Sequence, residues 1–547
     1  MLDITVNGKK VQVKNGAKLS DIAKMTEGPY PFLIAKIGQK ILELHRKIHQ
    51  DCEIEFLDLT SDSGYRVYQR SIVFMMILAA REILGRHVQV FVEHSLNKNY
   101  YCEIDEEGLI LTDDILQQIK EKMVEISKKD MPIIKESFAL DDGIRLAEEM
   151  HLPDKVQLLA YRSTSSVNFY RLDWFYDYFY GPMAPGTGSL SIFDLKMQGE
   201  GFMLIFPNQS SPEHLSELKS LTKIAQVFKE SNAWARILKI DTVGALNDKI
   251  CQGESGDVIR ITEALHEKSI AKMADDIHQM NRNVVLIAGP SSSGKTTFAQ
   301  RLCVQLRVNG LKPHVISLDD YYVNRDVTPL DRFGKPDFES LYAIDVSKFR
   351  EDSQELLAGN TVSMPKYNFM TGKREYKGHF LKLDKDDVLV IEGIHGLNPE
   401  LSRNIPDSNK YKIFISALTQ LNLDHHNRIP AADTRKIRRI VRDSQFRGFD
   451  AKRTIELWPS VIRGESENIF PFQDEADAIF NSALIYEMCV LKTYVMPLLF
   501  AIGRSDPEYL EASRLLKFVD CFMSIVEKEV PNNSLIREFI GGSCFRT

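Results

Sequence analysis

At 547 residues the chain exceeds what one hydrophobic core sustains, so three or four domains are expected. Its 27% charged and 44% hydrophobic residues are the balance of an ordinary soluble globular protein. A net charge of −7 excludes a general pull toward nucleic acid or anionic membrane and points to a small substrate, leaving local basic patches open.

The seven cysteines are scattered, odd in number and form no Cys-x-x-Cys pair, as expected of reduced thiols in a cytoplasmic protein. Met1-Leu2-Asp3-Ile4 opens a β-like pattern instead of a signal sequence. The most apolar helical run, residues 72–80, is too short to span a bilayer.

Residues 1–60 alternate short strands with turns. Ile4-Thr5-Val6 and Val11-Gln12-Val13 flank Asn7-Gly8, the signature of a type I′ hairpin. A short helix is expected at residues 19–23 and a closing strand at residues 52–57. This β-grasp-like pattern resembles the TGS domain that opens threonyl-tRNA synthetases and certain GTPases. Residues 61–225 resemble the editing domain that follows in those synthetases, with a helix around Arg70 to Met76, then His94-Ser95-Leu96 and the aromatic strand Tyr100-Tyr101-Cys102-Glu103-Ile104. Where that family carries His-x-x-x-His, this chain has Ser71 and Met75, which cannot replace two imidazoles one turn apart. Metal-assisted editing is therefore not expected, and His94 and Cys102 read as structural.

The Gly/Pro-rich residues 181–188 suit either packing against a neighbour or ligand contact. Helical periodicity follows over residues 214–280, with Leu218, Leu221, Ile224 and Val227, then Ile261, Leu265, Ile270 and Met273, and residues 226–280 are assigned as a helical connector. No flexible spacer interrupts it, so the two halves are expected to pack together.

The apolar run Val284-Val285-Leu286-Ile287-Ala288 leads into Gly289-Pro290-Ser291-Ser292-Ser293-Gly294-Lys295-Thr296-Thr297. That is the spacing of a strand, a phosphate-binding loop and a helix, expected over residues 297–309 with Gly310 as its stop. The glycines aim backbone N–H groups at phosphate oxygens, Lys295 adds positive charge, and Thr296 offers a hydroxyl to Mg²⁺. Strand and helix then alternate, as in a parallel sheet covered on both faces. Strands are expected at residues 314–318, ending at Asp319-Asp320, at 388–391, ending at Glu392, and at 412–416. Ligands of such sheets bind beyond the carboxyl ends of the strands. Glu392 suits Mg²⁺ support there, and Asp319 suits an acceptor hydroxyl and its proton. Asp320 reads as the structural member of the pair.

These motifs resemble the uridine kinase and phosphoribulokinase branch of the P-loop kinases over residues 281–485. Beyond the loop the resemblance rests on Asp319-Asp320-Tyr321-Tyr322, Pro336-Asp337, Tyr367-Asn368-Phe369, Glu392-Gly393-Ile394, Asp433 to Asp443, and Arg447-Gly448. It implies Asp319 as the catalytic base, also near the metal, and Arg439, Arg442 and Arg447 gripping substrate and phosphates from a closing lid. Arg435, Arg438, Arg439 and Arg442 recur at helical spacing, and guanidinium forks match phosphate geometry. Tyr322, Phe333, Tyr367 and Phe369 match aromatics that enclose the base in pyrimidine nucleoside kinases. The family's ribose-binding acid falls at Gly334 and its base-reading histidine at Gly372, so Asp337 is the substitute for the ribose. A lid arginine position falls at Phe449, with Arg453 and Arg463 nearby.

Residues 486–547 read as a helical C-terminal cap without chemistry, with a short last helix at Phe539 ended by Gly541-Gly542. The expected fold class is α/β: a P-loop kinase domain with a parallel sheet covered by helices, preceded by a small β-grasp domain and an α+β synthetase-like domain. The expected activity is nucleoside phosphorylation with ATP and Mg²⁺ in nucleotide salvage. Alternatives are a kinase of another small alcohol, or a nucleotide-binding regulator associated with tRNA or the ribosome. Partners are a nucleoside and ATP and no membrane. RNA binding through the front half and homo-oligomer formation stay open.

Overall fold

The computed structural model describes residues 1–218, 222–419 and 421–545. Five strands open the chain in the order Lys9–Val13, Leu2–Val6, Glu53–Leu57, Ile34–Ile37, Lys40–Glu43. Asn7 (φ 45°) and Gly8 (φ 84°) both take the left-handed region that the tight hairpin requires. The helix Leu19–Lys24 buries Leu19 and Ile22 against Ile4, Val6 and Ile54. The strand that closes the unit in sequence lies at its centre, parallel to Leu2–Val6.

The next region is built around the helix Asp62–Leu84, capped by Ser61 Oγ, which accepts from Gly64 N at 3.1 Å. Residues 71 to 81 of this helix are buried on every side, which is the pattern of a helix inside a core. Among the described residues no helix is long and apolar enough to cross a membrane. A four-stranded antiparallel sheet, which includes Gln89–Leu96 and Asn99–Asp105, and a three-stranded sheet pack against it. Ser71 Oγ donates to Val67 O at 2.8 Å and accepts from Ala184 N at 2.9 Å, and Met75 is fully buried. Both positions are therefore used by packing. His94 stacks between Tyr101 and Phe228, with ring centroids 4.9 and 4.2 Å away, and burial pushes its pKa down to about 3. Residues 181–188 are also used by packing: Gly181 lies against the Arg70 guanidinium and Thr187 Oγ1 donates to Ile126 O.

Helices Thr222–Leu238, Val243–Cys251 and Ser255–Gln279 follow, and Leu221 lies outside the described residues. They are not a tether. Ile270, Met273 and Ile277 share one core with Val285, Ile287, Phe298 and Leu302. The sheet beneath them is wholly parallel, in the order Lys312–Ser317, Asp387–Glu392, Val284–Ala288, Lys410–Ser416, Ala478–Asn481. Val284, Leu286 and Ala288 point to the opposite face and meet Leu389, Ile391 and Leu401. Both faces are covered, so every residue of the central strand is buried.

The loop that follows Lys410–Ser416 joins the two halves. Lys155, with no exposed surface, pairs with Asp424 and lies 3.5 Å from Asp177, while His426 Nδ1 bonds Asp177 at 2.7 Å. The backbone closes the joint: Val92 N donates to His425 O, His425 N to Asp154, and Tyr180 N to Asn427 Oδ1. Burial alone would discharge Lys155, but Asp177, Asp424 and Asp154 outweigh it and hold its pKa above the ordinary lysine value. Replacing the lysine strands buried carboxylates. Lys155→Met is expected to lower stability by about 3–5 kcal/mol in urea unfolding, against less than about 0.5 kcal/mol for a surface lysine.

Candidate active site

The loop after Val284–Ala288 runs so close to the neighbouring strand that a Cβ on Gly289 would sit 2.1 Å from Ile415 O. Gly294, at φ 87°, then turns the chain into the helix Lys295–Val308, which starts two residues before the sequence pattern suggests. Lys295 Nζ folds back onto Gly289 O (3.0 Å) and Pro290 O (3.2 Å). Ser291 N donates to Glu465 Oε1 at 3.0 Å, and Thr297 N and Oγ1 donate to Glu538 Oε2 at 3.3 and 3.0 Å. The chain's own carboxylates thus stand where the loop's donors take an anion's oxygen. The loop fits phosphate.

The arginine helix Ala431–Phe446 divides its cations into two groups. Arg435 and Arg438 are buried in ion pairs with Glu465 and Glu487, and their remaining N–H groups hold the loop carbonyls Ser291 O (3.0 Å) and Ser292 O (3.4 Å). Arg439 donates to Ser291 Oγ at 2.8 Å. Arg439, Arg442 and Arg447 converge on the single carboxylate of Asp443, at 3.2, 2.8 and 3.8 Å, so three cations share one counter-charge beside the loop. Such a set retains a net attraction for phosphate.

Across the loop, Ser317 and Glu392 end neighbouring parallel strands, and Ser317 Oγ donates to Glu392 Oε1 at 2.8 Å. Burial, then the charge of Asp319, pushes the Glu392 carboxyl up to about 7, with Lys295 opposing. Asp319 follows Ser317 by two residues in a single 3₁₀ turn. Its neighbour Asp320 has a mechanical role: it accepts from Tyr367 N at 3.2 Å and from Lys366 Nζ at 3.2 Å, which staples the hairpin Val362–Asn368 and Lys373–Leu381 beside Asp319.

That hairpin brings rings together. Tyr367 lies 5.6 Å from Tyr322 and 5.1 Å from Phe369, and Phe338, which the motif reading did not single out, lies 6.5 Å from Tyr322. The Arg447 guanidinium sits over Phe369 at 5.8 Å, tying the arginines that share Asp443 to this group. Phe333 stands apart, between Arg332 and Arg463, with Arg463 also 3.6 Å from Asp331. Asp337 Oδ1 accepts from Glu339 N at 3.1 Å, the bond of a turn. Arg453 pairs with Glu456 on the surface.

Glu339 carries no motif signal. The residue is half-buried, its Oε2 is buried with no hydrogen-bond partner among the described residues, and its Cβ fits against Gly464, where a side chain would collide at 2.2 Å. Burial pushes its pKa up to about 7, and the charges acting on it are Arg439, Glu465, Lys295 and Asp319. A carboxyl whose folded pKa lies above its ordinary 4.5 takes up a proton on folding, so stability is lost as pH rises from 4.5 through about 7. Glu339→Gln is expected to flatten the fall in melting temperature between pH 5 and pH 8. An unchanged slope would show that this carboxyl titrates normally.

The comparisons with known proteins divide along the same line as the fold. Residues 284–486 match the model of the Phosphoribulokinase / Uridine kinase family, and this region has the P-loop kinase fold. The front half is similar to threonine–tRNA ligases. That of Clostridium kluyveri is 28% identical over 185 residues, 33% of this chain and 29% of the ligase. That of Rubrobacter xylanophilus is 28% identical over 193 residues, 35% of this chain and 29% of the ligase. The chain therefore spans 29% of the length of these curated relatives. A solved structure titled as a possible uridine kinase from Bacillus stearothermophilus is 21% identical, with a TM-score of 0.26, and the match covers 38% of this chain and 98% of that one. Among the described residues no group of three or more His, Cys, Asp or Glu side chains could hold a metal ion.

Proposed function

We propose that this protein is a nucleoside kinase that moves the γ-phosphate of ATP to a nucleoside 5′-hydroxyl, a salvage reaction. The observation that carries the reading is the staple between Asp320 and Tyr367, which fixes an aromatic group one residue away from the acid that ends the second strand. Base faces stack on Tyr322, Tyr367, Phe338 and Phe369, which presents the sugar hydroxyl toward Asp319.

In this reading the loop from Gly289 to Thr297 cradles the phosphates and Lys295 leaves the carbonyls of Gly289 and Pro290 to meet them. Asp319 orients the hydroxyl and accepts its proton. Arg439, Arg442 and Arg447 close over the transferring group, spreading its charge while Asp443 keeps the three aligned. In this reading Thr296 and Glu392 would hold Mg²⁺, with Asp319 nearby. When bound, the ion neutralises charge on the β- and γ-phosphates. Stacking accepts every base, so the reading names the nucleoside class and not one base.

A second reading, a nucleotide-binding regulator that engages tRNA or the ribosome, is favoured by the ligase-like front half. It predicts salt-dependent RNA binding without nucleoside turnover. ATP consumption across a panel of purine and pyrimidine nucleosides separates the two. Lys295→Ala is expected to lose turnover with every nucleoside. Asp319→Ala is expected to lower kcat by about 10²–10⁴-fold with the nucleoside KM little changed, because a base acts on the transition state. Full turnover in Asp319→Ala would remove it from the role.

A further inference from the structure

The C-terminal cap read from the sequence as free of chemistry reaches the phosphate loop. Glu538, on the short helix Arg537–Ile540, is the residue whose carboxylate bonds Thr297 N and Oγ1. Around it the tail is seated firmly. Leu535, Ile536 and Phe539 are fully buried, and Leu535 Cδ2 lies 3.5 Å from where a Cβ on Gly294 would be. Phe539 lies under the Arg438 guanidinium at 5.2 Å, and Ser534 Oγ meets Tyr486 OH at 3.2 Å.

The two carboxylates on the loop differ in kind. Glu465 is fully buried and neutralised by the paired bonds of Arg435, which makes it a permanent strut. Glu538 has no salt-bridge partner among the described residues and is held by the two Thr297 donors alone. Those donors belong to the first turn of a 14-residue helix, where N–H groups lack intrahelical partners and favour an anion. A phosphate oxygen needs the same place, carries the same charge sign and cannot share it.

We propose that residues 534–541 are an internal competitor of the donor nucleotide, with Glu538 standing in for a phosphate oxygen on Thr297. Donor binding then requires the tail to lift, and the closed tail reduces apparent nucleotide affinity by the fraction of molecules in which it is open. The cap that carries the tail is tied to the rest of the chain: Arg162 pairs with Asp520 at 3.3 Å, and Asn247 bonds Cys521 O and Met523 N at 2.8 and 2.9 Å. The front half, which holds Arg162, therefore contacts the cap that carries the tail. The inference rests on the loop as the donor-phosphate site and not on the nature of the acceptor.

The test is the affinity of the full chain for Mg·ADP, read with a fluorescent nucleotide analogue, in the unmodified protein, Glu538→Gln and Glu538→Ala. Removing the charge is expected to tighten binding about tenfold. An unchanged or weaker affinity in both variants overturns the proposal. Hydrogen exchange of the unmodified protein is the second measurement: peptides within residues 531–545 are expected to exchange faster with saturating Mg·ADP, and unchanged or slower exchange also overturns it. Tighter nucleotide binding without phosphorylation of any nucleoside would leave this proposal standing and remove the acceptor reading. Absence of nucleotide binding in all three proteins would remove the donor reading and this proposal together.

Discussion

The C-terminal half depends on how the backbone from Gly289 to Thr297 is held. A loop that aims its N–H groups outward leaves its carbonyls facing inward, and these need donors. Arg435 and Arg438 provide them at Ser291 O and Ser292 O, and each arginine is itself neutralised by a buried glutamate, Glu465 or Glu487. Buried ion pairs add little net stability, but they fix geometry, because either partner left alone would be a naked charge in the core. The loop's shape is therefore set by residues of helices far along the chain.

Around this fixed point the carboxylates sort by environment. Glu392 and Glu339 are driven toward neutrality by burial, with pKa values of about 7. Asp320 is committed to backbone and lysine, and Asp443 serves three arginines at once. Asp319, half-buried in the same 3₁₀ turn as Asp320, has no such commitment among the described residues. The same logic separates the arginines, since the buried pair Arg435 and Arg438 holds the loop carbonyls and the other three share Asp443.

The front half is bound to this machinery through polar contacts and not through a loose linker. Lys155, Asp154, Asp177, Asp424 and His426 form a buried charged joint on the loop that leaves the strand beside the phosphate loop's own strand. The C-terminal cap touches both sides. Its Arg514 pairs bidentately with Asp433 at the start of the arginine helix, while Asp520 and Cys521 meet Arg162 and Asn247. Front half, cap and loop are thus joined by direct contacts.

Much of this was legible in the residues. The strand, glycine loop and helix, the acids at strand ends, the arginine helix and the loss of paired histidines at Ser71 and Met75 depend on neighbours within a few turns, and local pattern reports local structure. Phe338 and Glu339 were not legible, since nothing in their spacing distinguishes them from Phe333 and Asp337. Sequence alone determined the class of fold and the loop's chemistry. Only tertiary packing decided that Lys155 meets Asp424, 269 residues away, and that Glu538 meets Thr297, 241 residues away. Contacts at such separation arise from which faces bury together, and no periodicity along the chain encodes them.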